Sequence, residues 1–129
     1  MLLALGMAQR FEELVVWQLA KEIAVLVYKL GKEGALSKDW GFKDQMQRSA
    51  LSISSNIAEG YERDSEKDDI RMLYIAKGSA GELRSQVLVA TEVNLIPKTD
   101  AERLVRKCVT VSALLSNLIK AKRRGLEEN

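Results

Sequence analysis

The sequence predicts an all-α protein, an antiparallel up-down-up-down four-helix bundle, on three observations. Apolar residues recur at alternating spacings of three and four, which places them on one helical face. A single proline in 129 residues, with a core written in Leu, Ile, Val and Ala, favours helices. Turn-forming residues gather at three points and divide the chain into four long segments. A length of 129 residues suits one domain, and an apolar fraction of 47% is enough for a packed core.

The first helix is expected from about residue 12 to 32. Gly34 to Gly41 contains two glycines and no periodicity, so it reads as a loop. The second helix is expected over about 42–62, where Met46, Ala50, Ile53 and Ile57 line one face. Ser65, three residues before Asp68, resembles a capping box and opens the third helix, expected to reach Asn94. Its stripe is Leu73, Ala76, Ala80, Leu83, Val87 and Ala90. Pro97 cannot continue a helix. Thr99 with Glu102 gives a capping-box pattern for the fourth helix, expected to end near Gly125, with the stripe Ala101, Leu104, Cys108, Val111, Leu115 and Leu118. Short connections make successive helices antiparallel. Residues 1–10 are read as a disordered extension, 11–125 as the bundle domain and 126–129 as a tail.

The first helix carries more apolar surface than one bundle needs. From Leu14 to Leu30, 13 of 17 residues are apolar; the others are Gln18, Lys21, Glu22 and Lys29. A helix packed on one side needs a stripe of about 100°. The excess predicts a second partner surface, most simply another copy of the chain, against the plainer alternative of a few exposed Val and Ala. Glutamate at Val16 or Val27 is expected to break the assembly if those residues face outward.

Composition excludes several chemistries. There is no His, hence no Ser-His-Asp or Cys-His catalysis and no His-ligated metal. The one Cys, Cys108, cannot form an internal disulfide or a cysteine-cluster zinc site. The longest apolar run, Ile23 to Tyr28, is six residues, far short of the roughly 20 a spanning helix needs. A cytoplasmic protein with no membrane contact is expected.

Ser49 to Gly60 holds four Ser and one Asn, unusual inside a helix because these side chains compete for backbone groups. Arg48, Asn56, Glu59, Glu82 and Gln86 are candidates for one polar cluster. It would be either a pocket or, as favoured here, a structural network that fixes helix register. Glu59 and Glu82 are the candidate carboxylate pair for catalysis or metal binding. Ferritin-like di-iron sites use Glu-x-x-His pairs, and no nucleophile–base pair stands out. The reading is non-enzymatic, with no cofactor and no metal.

Charge is uneven. Residues 97–129 hold eight basic and four acidic side chains, and the other 96 residues hold 12 basic and 14 acidic. The basic residues Arg103, Arg106, Lys107, Lys120, Lys122, Arg123 and Arg124 are candidate nucleic-acid contacts. Arg103, Arg106, Thr110, Asn117, Lys120 and Arg124 fall along one face, a stripe about 30 Å long. Such a stripe can track several phosphates; the plainer alternative is a solvated face with cations near a helix C-terminus.

The motifs in order carry a resemblance. They are Phe11-Glu-Glu-Leu-Val-Val-Trp-Gln-Leu-Ala20 with Tyr28; Gln45; Arg48-Ser-Ala-Leu-Ser-Ile53; Asn56-Ile-Ala-Glu-Gly-Tyr61; then Ile75, Ala76, Gly78-Ser79 and Gly81-Glu82-Leu83. Across about residues 11–122 the chain resembles the four-helix-bundle proteins encoded in 23S rRNA intervening sequences. Ser49 stands where Ala is more typical. The resemblance implies a cytoplasmic, non-enzymatic bundle assembling as a ring-like homopentamer. The accessory proteins of diversity-generating retroelements are similar to that family and are basic pentamers that bind nucleic acid and a reverse transcriptase. By analogy a structured RNA, rRNA included, is the expected ligand, bound through phosphates. The alternative is a scaffold or assembly factor that recruits a protein partner.

Overall fold

The structure is a computed structural model that describes residues 8–128. A 3₁₀ turn, Phe11–Glu13, precedes α1 (Val15–Leu30), α2 (Gly34–Lys38), α3 (Trp40–Glu62), α4 (Glu66–Glu92) and α5 (Lys98–Glu128). The described residues form no strand. The helix α1 packs on α3 and α5, and α4 packs on α3 and α5, while no α-carbons of the α1–α4 or α3–α5 diagonals approach within 8 Å. Four long helices therefore stand at the corners of a helical bundle.

The predicted stripes become the core. Met46, Ala50, Ile53 and Ile57 of α3 are buried, as are Leu73, Ala76, Ala80, Leu83, Val87 and Ala90 of α4. On α5 the stripe holds from Ala101 to Leu115, but its last member is Ile119, with Leu118 only partly buried. An α-helix repeats every ~3.6 residues, so a strict three-four alternation drifts by about 20° per heptad; by the fourth turn the next residue has rotated inward.

Other boundaries move for local reasons. The segment expected to be a loop contains α2, one and a half turns pinned by Leu36, which is 1% exposed and joins the core. Gly34 sits at φ +67°, a left-handed conformation that glycine adopts without steric cost. Asp39 then caps α3, accepting from the Phe42 amide at 3.0 Å. The expected Ser65 cap is present: its Oγ accepts from the Asp68 amide at 3.1 Å. The helix α4 ends at Glu92, and Asn94 takes a left-handed φ of 59°, while the Leu95 amide donates to the Ala90 carbonyl at 2.8 Å. The helix α5 begins at Lys98, before Thr99, and the Pro97 carbonyl accepts from the Ala101 amide. The Thr99–Glu102 capping box is thus not formed, because Thr99 already lies inside the first turn, whose amide at Ala101 bonds the Pro97 carbonyl at 3.0 Å. At the other end α5 passes through Gly125 to Glu128.

Of the expected extension, residues 1–7 lie outside the described residues. Ala8 is buried, and its carbonyl accepts from the Tyr61 hydroxyl at 2.6 Å. Residues 126–128 of the expected tail are helical.

Glycine is required at one crossing. A Cβ at Gly60 would lie 2.6 Å from Asp69 Oδ1 and 3.0 Å from Met72 Cβ. The absent side chain lets α3 approach α4 at the turn that joins them.

Candidate nucleic-acid interface

The basic candidates on α5 divide into two groups. Arg103, Arg106, Lys120 and Arg124 are exposed, and among the described residues none of them has an acidic partner. Thr110 and Asn117 are exposed on the same outward face. Burial of Ala101, Leu104, Cys108, Val111 and Leu115 turns this opposite side of α5 to solvent.

The other three candidates are engaged inside the chain. Lys107 pairs with Glu22 of α1 at 3.2 Å. Lys122 Nζ bridges Glu66 at 3.0 Å and Asp69 at 2.9 Å on α4. Burial alone would lower the Lys122 pKa, but the hydrogen bonds to Asp69 and Glu66 outweigh it and the pKa is raised. Arg123 donates to the Tyr74 hydroxyl at 2.7 Å and lies over that ring at 5.9 Å. These three cations fasten α5 to its neighbours. A linear sequence displays their charge but not the partners on other helices.

The five polar candidates do not converge on one network. Asn56 donates to the Ser52 carbonyl at 2.7 Å and to Ser52 Oγ at 2.9 Å. Ser52 and Ser79 join hydroxyls across α3 and α4. Arg48 instead pairs with Asp44 and Glu59 with Arg63, each four residues away and exposed. Glu82 is exposed with no ion-pair partner among the described residues. Gln86 Oε1 is buried without a hydrogen-bond partner. The serines that sequence reading left out, Ser52 and Ser79, form the link between helices; the signal for them was small polar residues on facing stripes. The Glu59–Arg63 and Asp44–Arg48 pairs follow the i,i+4 rule and were legible by spacing.

No group of three or more metal-binding side chains occurs among the described residues, and no described helix is long and apolar enough to cross a membrane. Cys108 is buried, and its thiol is pushed up to about 11 by that burial, opposed by the charge of Arg84. It has little thiolate character at neutral pH.

The second apolar face of α1 is partly realised. Val16 and Val27 are buried in the core, and the residues left outside are Val15, Val25 and Tyr28, with Val25 45% exposed. Leu88, Val89 and Val93 are exposed on α4.

These features define a class: an all-helical bundle whose last helix presents unpaired cations to solvent. Residues 12–117 match the family described as 23S rRNA-intervening sequence protein, and the chain belongs to that family. It is also similar to a crystal structure of a protein of unknown function from the S23 ribosomal protein family of Bacteroides thetaiotaomicron. That match has 28% identity and a TM-score of 0.75, covering 82% of this chain and 99% of the other. No curated protein matches.

Proposed function

We propose that the chain is a non-enzymatic cytoplasmic bundle that assembles with copies of itself and binds structured RNA through phosphate contacts. The observation that carries this reading is the outward face of α5, with Arg103, Arg106, Lys120 and Arg124 free of acidic partners among the described residues. Phosphate-tracking cations need that freedom, because a salt-bridged lysine must give up its partner before it neutralises a phosphate. The RNA named in the family description points the same way, and the similarity of that family to accessory proteins of diversity-generating retroelements supports it by analogy. An up-down topology is supported by the Gly60–Met72 and Ser52–Ser79 contacts, which advance in opposite directions along α3 and α4. A homopentameric ring would cover Val25 and Tyr28 and repeat the basic face around its circumference.

The test is a gel shift with 23S rRNA fragments across salt concentrations. Binding should fall steeply with salt and show weak sequence preference, since phosphates carry no sequence information. Gln at Arg103, Arg106, Lys120 and Arg124 together should weaken binding to all fragments alike. Absence of binding at low salt overturns the reading. A scaffold that recruits a protein is then the alternative, favoured by an open apolar groove of about 650 Å³ between α4 and α5, lined by Leu88, Val89, Ala101 and Val105.

A further inference from the structure

A second cationic feature lies on the α4–α5 face, away from the outward stripe. Lys77 and Arg84 stand two turns apart on α4, with Gly81 between them on the same side. Together with Cys108, Ser112 and Ser116 of α5 they line a groove of about 300 Å³ that contains no acidic side chain. Lys77 and Arg84 have no ion-pair partner among the described residues, and the hydroxyls of Ser112 and Ser116 make no hydrogen bond there. Both hydroxyls are therefore available to donate into the groove. Gly81 adds to this. A Cβ there would meet nothing within 4 Å, so packing inside the chain does not require glycine, although glycine weakens a helix interior relative to alanine. What the missing side chain provides is an open floor midway between the two cations.

We infer that this groove is a phosphate-binding site: Lys77 and Arg84 flank the anion, and Ser112 and Ser116 donate hydrogen bonds to its oxygens. Every free polar side-chain group in the lining is a donor, and two carry positive charge, so the complement is an anion with several acceptor oxygens. The inference builds on the RNA reading above, in which the phosphate is that of an RNA backbone crossing from the outward stripe of α5 into the groove. A second wall of cations on α4 would then hold the strand from both sides.

The test uses the full chain, a Lys77→Gln/Arg84→Gln variant and two probes. Tripolyphosphate is titrated into the labelled protein and followed by amide spectra. The amides of Gly81, Ser112 and Ser116 should shift in the parent and stay fixed in the variant. No shift at these amides in the parent overturns the groove. Fluorescence anisotropy with a labelled 23S rRNA fragment is then measured against salt. The variant should melt like the parent while the slope of log affinity against log salt falls by about 1 to 2. An unchanged slope, with binding still lost when Arg103, Arg106 and Arg124 become Gln, overturns the groove and leaves the α5 interface standing. Tripolyphosphate binding at these amides without any RNA binding supports the groove as a phosphate site and overturns the RNA reading.

Discussion

The hydroxyls of Ser52 and Ser79 meet at 2.7 Å across the interface of α3 and α4. Ser79 is nearly buried, and Asn56 donates to Ser52 Oγ at 2.9 Å from one turn further along α3. The pair gives a largely aliphatic interface a polar lock at one register. Ser79→Ala should cost about 1 kcal/mol, because Ser52 keeps its hydrogen bond from Asn56 and only one bond is lost. Chemical denaturation measures it. A loss above about 3 kcal/mol would mean that the lock carries more of the interface than one hydrogen bond.

Glu59→Ala should be almost silent. Its carboxylate pairs only with Arg63, and both side chains are substantially exposed. Solvent screens such exposed pairs, so they contribute little to stability. A melting temperature equal to the parent within a degree or two is the expected result, and a large drop would return Glu59 to the structural network from which the geometry separates it.

Lys122 and Asp69 behave differently. Asp69 is buried and its main cationic partner is Lys122. Lys122→Met removes the partner and leaves the carboxylate behind, so it should cost about 2 kcal/mol or more, while the double change with Asp69→Asn recovers part of the loss. Denaturation of the three variants forms the cycle. An additive result would show that the two residues do not act as a pair.

Stability should fall as pH rises through the alkaline range. The folded Cys108 thiol is pushed up from 9.0 to about 11. A raised folded pKa gives stability that is complete below the unfolded value and is lost as pH rises through the folded one. The window is therefore about pH 9 to 11, and the loss about 2–3 kcal/mol. Lys122, also raised, loses its contribution in the same direction at higher pH. Cys108→Ala should flatten the curve between pH 9 and 11 despite lowering stability at pH 7. An equally steep curve would assign the effect to another group.

Assembly should respond to Val25 and not to its buried neighbours. Light scattering of the parent should give a multiple of the 14.4 kDa chain mass, five for a pentamer. Val25→Glu should shift the particle toward that single-chain mass with the fold retained. Glu at Val16 or Val27 should prevent folding, since both are buried in the core. A parent of single-chain mass at micromolar concentration ends the assembly reading.

Legibility followed the range of each interaction. The helix faces were readable because burial imposes a periodicity that the sequence carries directly, and Ser65 was readable because a cap acts over three residues. The helix α2 was not, because five residues are too few to show a period and Leu36 is held by contacts with other segments. Asp39 was passed over inside that assumed loop. On α5 the charges of Lys107, Lys122 and Arg123 were visible, but their commitments to Glu22, Asp69 and Tyr74 depend on helix packing. Lys77 was missed because a spacing of seven residues from Arg84 shows two cations on one face without showing that α5 supplies hydroxyls opposite.

The tight crossing at Gly60 has a reach beyond its own turn. The oxygen that a methyl group there would strike belongs to Asp69, the same side chain that Lys122 grips from α5. Clearance at one α-carbon is thus shared by three helices. Gly60→Ala would act as a wedge: to make room, α4 must yield or Asp69 must rotate, and rotation releases the far end of α5. A single added carbon would loosen the helix that bears the exposed cations while leaving every one of those cations in the sequence.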